Sequence, residues 1–88
     1  MTVLLRPVAA KYLERLSATD KERFSNAFRD LAKEPPEGDI TTLSGWPGYL
    51  RLRIGGYRAL FHIEGDTIFV TNIDPRGQVY KKKNRRNK

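Results

Sequence analysis

The sequence predicts an α+β fold of the order β-α-α-β-β-β, in which an antiparallel sheet packs on an N-terminal hairpin of two helices. Two patterns along the chain carry this prediction. Apolar residues recur at the helical spacing in residues 7–34, whereas from residue 40 onward they alternate with polar ones, as they do in strands. The chain has 88 residues, enough for one domain with one modest core, so both patterns belong to one folded unit.

The chain opens with a predicted strand and a predicted helix. Residues 2–6 combine β-branched and apolar side chains, which favours a strand. Pro7 suits the first turn of a helix, because proline has no backbone N–H to donate and its φ angle is already helical. The residues that this helix should bury along one stripe are Val8, Tyr12, Leu13 and Leu16.

A second helix should begin at a capping box. Thr19 supplies a hydroxyl at the cap, and Glu22 supplies a carboxylate three residues later. Two prolines, Pro35 and Pro36, end the helix. Because the link to the first helix is short, the two helices should form an antiparallel hairpin. The buried face of the second helix should consist of Phe24, Ala27, Phe28 and Leu31.

The rest of the chain should form the sheet. Gly55 and Gly56 predict a tight turn between two strands, and Gly65 with Asp66 predicts another turn. These strands should form an antiparallel meander with both helices on one of its faces. The predicted extended segments are residues 41–43, 49–54, 57–63 and 67–73, with a short last strand at 78–80.

The composition excludes several classes of function. The chain contains no cysteine, which excludes disulfides, thiolate nucleophiles and cysteine-ligated metals. No apolar run approaches the roughly 20 residues needed to span a bilayer, and the first residues lack the order of a signal peptide. We therefore expect a cytoplasmic protein that does not act at a membrane.

Positive charge is concentrated in the second half of the chain. Residues 51–88 hold ten Lys and Arg against three acids, which accounts for the whole net charge of +7, whereas charges cancel in residues 1–50. We expect residues 1–80 to form the domain and residues 81–88 to form a basic tail without an apolar anchor. This distribution is typical of proteins that bind nucleic acid or an acidic protein segment, although such a tail can also serve only for solubility.

Three arginines should share one face of the sheet. Alternate residues of a strand point to the same face, so Arg51 and Arg53 lie together, and Arg58 joins them from the next strand. Guanidinium groups stay charged and offer planar donors, so three of them form a patch suited to a phosphate. The alternative is that they are ordinary solvated charges on an exposed sheet face.

Two segments resemble the RelE/ParE toxin superfamily. LSGWPGYLRLRIGGYRALF, residues 43–61, is similar to the superfamily's core motif, and RGQVY, residues 76–80, is similar to its R-x-x-V-Y ending. The resemblance implies a RelE-like toxin that cuts mRNA in the ribosomal A site by driving a ribose 2′-OH against the adjacent phosphate. It further implies that a cognate antitoxin neutralises the toxin and that neither a metal nor a small-molecule cofactor is required.

The resemblance also implies roles for four residues. Arg58 would clamp the scissile phosphate, and Arg76 would stabilise or protonate the leaving oxygen, unless Arg76 is only a loop charge after Pro75. Tyr80 would stack on a base or share in proton transfer, unless it only closes the sheet edge. Arg51 stands where the family often has a lysine, and because arginine holds its proton too tightly to act as a base, Tyr80 accepts the proton or cleavage is slow. The residues expected to bind RNA are Arg53, Lys81, Lys82, Lys83, Arg85 and Arg86.

Two further side chains have a functional and a structural interpretation. His62 should face the same side as Arg58 but lies four residues along the strand, about 13 Å away, so packing or solvation is favoured over a role as general base. Trp46 lies in a turn beside the arginine face, where anchoring that turn to the core is favoured over stacking on RNA.

Two other functions are compatible with the same pattern. A ParE-like toxin would share the fold but poison DNA gyrase without cutting RNA, although ParE-like chains generally lack the paired cationic and tyrosine residues. A nucleic-acid-binding module without catalysis would use the same arginines only to hold phosphates.

Overall fold

The structure is a computed structural model that describes residues 1–75 of the chain. Its order of elements and its α+β class agree with the prediction, and the strand predicted at 78–80 lies outside the described residues. The elements are β1 (Thr2–Leu5), α1 (Pro7–Glu14), α2 (Ala18–Leu31), β2 (Asp39–Thr42), β3 (Leu50–Ile54), β4 (Tyr57–Glu64) and β5 (Thr67–Pro75).

Helix α1 begins at Pro7 as predicted, and three of the four residues expected on its buried stripe, Tyr12, Leu13 and Leu16, pack on the core. Ala9 is fully buried, whereas Val8 is 63% exposed. Ala9, Tyr12 and Leu16 recur at the helical spacing and pack on the core, and Val8 lies about 100° away from Ala9 around the helix. The prediction for Val8 was therefore wrong, because the larger apolar side chain is not the one that faces the sheet.

Helix α2 is capped by Ser17, two residues before the predicted cap Thr19. Ser17 has extended backbone angles, and its Oγ accepts a hydrogen bond from the backbone N–H of Asp20 at 3.2 Å. Thr19 already lies in the first turn, so the assignment of the cap to Thr19 was wrong. Both Ser17 with Asp20 and Thr19 with Glu22 have the spacing of a hydroxyl cap, and the helix uses the earlier pair. In residues 1–75 no helix is long and apolar enough to cross a membrane.

The five strands form one mixed sheet in the order β1-β5-β4-β3-β2. Strands β2 to β5 form the predicted antiparallel meander, with residues 39–42 as a full strand at one edge. Strand β1 pairs with β5 in parallel at the other edge, so the sheet is not purely antiparallel. The two helices carry the chain from one edge of the sheet to the other between β1 and β2.

One face of the sheet is covered by the helices and holds the core. Phe24 and Leu31 of α2 are fully buried, and Ala27 and Phe28 are half-buried beside them, as predicted for this helix. We call this side the covered face and the opposite side the open face. The buried residues that the strands contribute to the covered face are Leu52, Ile54, Ala59, Phe61, Ile68, Val70 and Ile73.

An irregularity in β5 decides which of its residues reach the open face. Leu60 is opposite Asn72 but Phe61 is opposite Val70, so β5 has one extra residue, Thr71, at this point. The Thr71 hydroxyl donates to the backbone carbonyl of Leu60 at 3.4 Å. This bulge lets both Val70 and Ile73 face the helices, and it leaves Asn72 on the open face.

Candidate functional site

The structure places three arginines on the open face of the central hairpin. Arg51 and Arg53 alternate with Leu52, which is buried on the covered face, and Arg53 is directly opposite Arg58 on β4. Arg51 is opposite Leu60 and is half-buried. The predicted arginine patch is therefore a single surface shared by two adjacent strands, and we call it the arginine patch.

Carboxylates flank the arginine patch on both sides. Asp39 on β2 is opposite Arg53, and its Oδ2 lies 3.9 Å from the Nε of Arg53, while Asp74 on β5 is opposite Arg58. Like charges directly opposite each other on a sheet repel, so these acids offset the repulsion between Arg53 and Arg58. The side chains of Asp39 and Arg53 are 60% and 57% exposed, and such pairs contribute only about 0–1 kcal/mol. A phosphate that accepts hydrogen bonds from two guanidiniums can displace so weak a pair.

The hairpin that carries the patch is tied to the start of α2. The hydroxyl of Tyr57, the residue before Arg58, donates to Oδ2 of Asp20 at 2.9 Å. That hydrogen bond, and then burial, raise the pKa of Tyr57. In the turn, Gly55 has φ +59°, and a Cβ there would come within 2.9 Å of Nη1 of Arg23. The positive φ favours glycine at this turn, whereas the Arg23 side chain is 52% exposed and can move aside, so the hydrogen bond of Tyr57 is the contact that ties the hairpin to the helix.

A row of rings and one guanidinium crosses the same face further along the strands. His62 is directly opposite Phe69 and stacks on it, with ring centroids 5.3 Å apart and an interplanar angle of 23°. Tyr49 meets His62 edge-on at 5.2 Å, and the Cζ of Arg6 lies 5.9 Å from the ring centroid of Phe69. We call Tyr49, His62, Phe69 and Arg6 the aromatic row. The sequence pattern did not predict this row, because it joins β4 and β5 with the residues that precede β3 and α1, which are far apart in the chain.

His62 and Trp46, the two ambiguous side chains, both belong to this end of the face. His62 packs between two rings, and its Nδ1 lies 3.3 Å from Oε2 of Glu64, which agrees with the favoured interpretation of a packed histidine. Trp46 meets Tyr49 edge-on at 5.9 Å and does not join the half-buried residues around the core. Its expected role as an anchor to the core was therefore wrong.

The remaining predicted site residues lie outside residues 1–75. Strand β5 ends at Pro75, which is opposite Tyr57, so the chain leaves the described part of the sheet beside Arg58. Within that part, no three histidine or acidic side chains gather closely enough to hold a metal ion. The predicted residues outside the described part are Arg76, Tyr80, Lys81, Lys82, Lys83, Arg85 and Arg86.

The sequence has a match among protein families and one among curated proteins. Residues 3–80 match the family described as ParE toxin of type II toxin-antitoxin system, parDE. A stretch of 56 residues, 64% of this chain, is 34% identical to Toxin RelE3 of Methanocaldococcus jannaschii. The match spans 58% of the length of that relative.

The fold is similar to that of solved toxins. The RelB-RelE antitoxin-toxin complex from Methanococcus jannaschii gives a TM-score of 0.73 at 22% identity, over 90% of this chain and 96% of that one. The archaeal RelE-RelB complex from Pyrococcus horikoshii OT3 gives 0.71 at 28% identity, over 88% and 96%. The isolated E. coli RelE toxin gives 0.70 at 19% identity, over 99% and 98%. The chain therefore belongs to the ParE toxin family of type II toxin–antitoxin systems, within the RelE/ParE superfamily that its motifs resemble.

Proposed function

We propose that this protein is a toxin that cuts messenger RNA on the ribosome. The observation that carries the proposal is the arginine patch, where Arg51, Arg53 and Arg58 share one open surface and the last described residue of β5 lies beside it. The similarity to Toxin RelE3 supports the same branch of the superfamily. Residues 1–80 would be the toxin domain, and residues 81–88 would add salt-sensitive contacts with RNA phosphates.

The proposed chemistry is an internal transfer at one phosphate. The ribose 2′-oxygen forms a bond to phosphorus, and the bond from phosphorus to the 5′-oxygen of the next nucleotide breaks. The products are a 2′,3′-cyclic phosphate and a free 5′-hydroxyl. The reaction needs a proton acceptor for the 2′-OH, positive charge on the phosphorane-like transition state and a proton donor for the leaving oxygen.

Each of these tasks has a candidate in the chain. Arg58 would hold the charged oxygens of the scissile phosphate, and Arg51, half-buried and diagonal to Arg58 across the hairpin, would add a second guanidinium. Arg76 would serve the leaving oxygen. Tyr80 would accept the proton from the 2′-OH, because Arg51 is a poor base and His62 lies about 13 Å along the strand from Arg58.

Cleavage of mRNA on programmed ribosomes tests the proposal directly. We expect Arg58→Ala to lower the cleavage rate about 100-fold or more, since it removes a charge that acts on the transition state. Arg29→Ala is the matched control, because Arg29 is an exposed cation on α2 whose side chain contacts Asn26. Both variants should unfold at the same urea concentration as the wild type. A wild-type cleavage rate retained by Arg58→Ala would contradict the proposal.

The same assay separates the mechanism from ordinary hydrolysis. An mRNA with a 2′-O-methyl group at the cleavage site should stay intact, because the attacking oxygen is blocked. Tyr80→Phe should slow cleavage of unmodified mRNA without changing the unfolding transition. Cleavage of the methylated mRNA at the normal rate would exclude attack by the 2′-OH.

The match to ParE toxins supports a second candidate function, inhibition of DNA gyrase. In that case the ribosome assay would show intact mRNA, and the protein would trap gyrase on DNA. Intact mRNA with RNA binding alone would instead indicate a binding module without catalysis. One set of assays thus distinguishes the three functions.

We further propose that the chain has a cognate antitoxin as its partner. Two of the similar solved structures are complexes of RelE with RelB. An acidic segment of such a partner would complement the open face, which carries the arginine patch. Added in equal amount to the cleavage assay, the antitoxin should abolish cleavage, and an unchanged rate in the complex would contradict neutralisation by this partner.

A further inference from the structure

The aromatic row has features that core packing does not explain. His62 and Phe69 stack on the open face, with Tyr49 on one side and Arg6 on the other. None of these side chains belongs to the hydrophobic core or to the residues packed against it. Rings gathered on the solvent side of a sheet contribute little to the core of a small domain, whereas they are suited to binding a planar ligand.

A small cleft lies at one end of the row. It has a volume of about 150 Å³ and is lined by Arg6, His62, Glu64 and Phe69. Cavities of about this volume accept a benzene-sized ring. Aromatic side chains and arginine guanidinium groups are the groups that most often contact nucleobases in single-stranded RNA complexes.

The charges around the cleft favour a base over a phosphate as its occupant. The carboxylate of Glu64 is 68% exposed, and it would repel a phosphate placed in the cleft. The same carboxylate can accept hydrogen bonds from the N–H groups of a base, and Arg6 can donate to base carbonyls. Phosphates are instead served by the arginine patch on the same face.

The distance between the two surfaces suits one RNA strand. His62 lies four residues along β4 from Arg58, which corresponds to about 13 Å. At a rise of about 3.4 Å per stacked nucleotide, this distance spans at most about four nucleotides. A strand whose phosphate lies on Arg58 can therefore place a nearby base on the aromatic row.

We propose that the aromatic row and its cleft form a binding site for one unpaired base of the RNA substrate, within about four nucleotides of the phosphate on Arg58. This inference rests on the proposed function, since it assigns a second contact to the same substrate. The base lies in the cleft against the Phe69 ring, beside Arg6, and Glu64 and Arg6 contact its polar edge.

Phe69 is the residue on which to test the site. The probe is a short single-stranded RNA with 2′-O-methyl groups throughout, which cannot be cleaved by 2′-OH attack, and its affinity is measured by fluorescence anisotropy at low salt. Phe69→Leu keeps an apolar side chain but removes the ring, and it should weaken binding about fivefold or more. Phe69→Tyr keeps the ring and should bind within about twofold of the wild type. Unfolding curves of both variants control for stability.

The outcomes separate this inference from the proposed function. If the wild type cleaves mRNA and Phe69→Leu binds the probe as tightly as the wild type, the inference is overturned and the nuclease stands. If the wild type does not cleave but Phe69→Leu still weakens probe binding, the base site stands and the nuclease fails. If Phe69→Leu weakens only the complex with the antitoxin, the row is a protein-binding surface and the inference is overturned.

Discussion

The two faces of the sheet are built from the same strands but have opposite compositions. In the described residues the covered face is apolar, and no polar or charged side chain is fully buried there. The open face carries the arginine patch and the aromatic row. In β4, Phe61 fills the core while its neighbours Leu60 and His62 point the other way. Because successive side chains of a strand point to opposite faces, one short strand contributes some residues to the core and the residues between them to the candidate site.

The open face is not uniformly exposed, and this difference bears on its chemistry. Leu60 is only 3% exposed, although it is not part of the core cluster. It is flanked by Arg51 on one side and Asn72 on the other. Leu60 thus gives the arginine patch an apolar floor, where electrostatic contacts with a phosphate are stronger than in bulk water.

The largest expected difference between the faces concerns folding stability. Phe61 is fully buried on the covered face, so Phe61→Ala should lower the free energy of unfolding by about 3–5 kcal/mol. Phe69→Leu on the open face should lower it by less than about 1.5 kcal/mol, because Phe69 is only half-buried. Urea unfolding followed by circular dichroism measures both. Equal losses for the two variants would show that the faces do not divide stability and function in this way.

A smaller effect tests how the covering layer is held in place. Ser17→Ala removes the hydroxyl that caps α2 and should lower the free energy of unfolding by about 1 kcal/mol. Thr19→Ala, two residues later, is the matched control and should change it by less than about 0.5 kcal/mol. The same urea experiment compares them. A larger loss for Thr19→Ala would restore the cap that the sequence pattern predicted.

Features set by one strand or one hairpin were predictable from sequence, and features set by pairing between distant strands were not. The shared face of Arg51, Arg53 and Arg58 follows from alternation and one glycine turn. The bulge at Thr71 and the parallel pairing of β1 with β5 depend on contacts that alternation within a strand does not encode. The aromatic row depends on both, because His62 meets Phe69 only in the register that β4 and β5 adopt.

Local errors had a different origin. Val8 and Ala9 are both apolar, and the pattern favours the larger side chain, although the helix turns the smaller one toward the sheet. Likewise, Ser17 and Thr19 each have a hydroxyl, and each is followed three residues later by an acidic residue, so the sequence offers two possible N-caps. In each case two local solutions of similar energy exist, and packing on the sheet selects between them.

The smallest expected effect is a stabilisation that is lost at high pH, and it concerns Tyr57, which packs on the covered face. Hydrogen bonding to Asp20, and then burial, raise the pKa of Tyr57, so the folded protein keeps a proton that the unfolded chain releases near pH 10. The stabilisation is therefore complete below about pH 10 and is lost as the pH rises through the raised value. Tyr57→Phe removes both the hydrogen bond and this titration.

We accordingly expect wild type and Tyr57→Phe to differ most in urea midpoint near pH 8 and to converge as the pH rises through the raised pKa of Tyr57. Tyr12, whose pKa is raised by burial and then by Asp74 and Asp20, is present in both proteins, so its titration largely cancels in the comparison. A difference in midpoint that stays constant over this range would mean that the hydroxyl of Tyr57 does not hold its proton more tightly in the folded state. The contact of Tyr57 with α2 would then rest on the packing of its ring against Phe24.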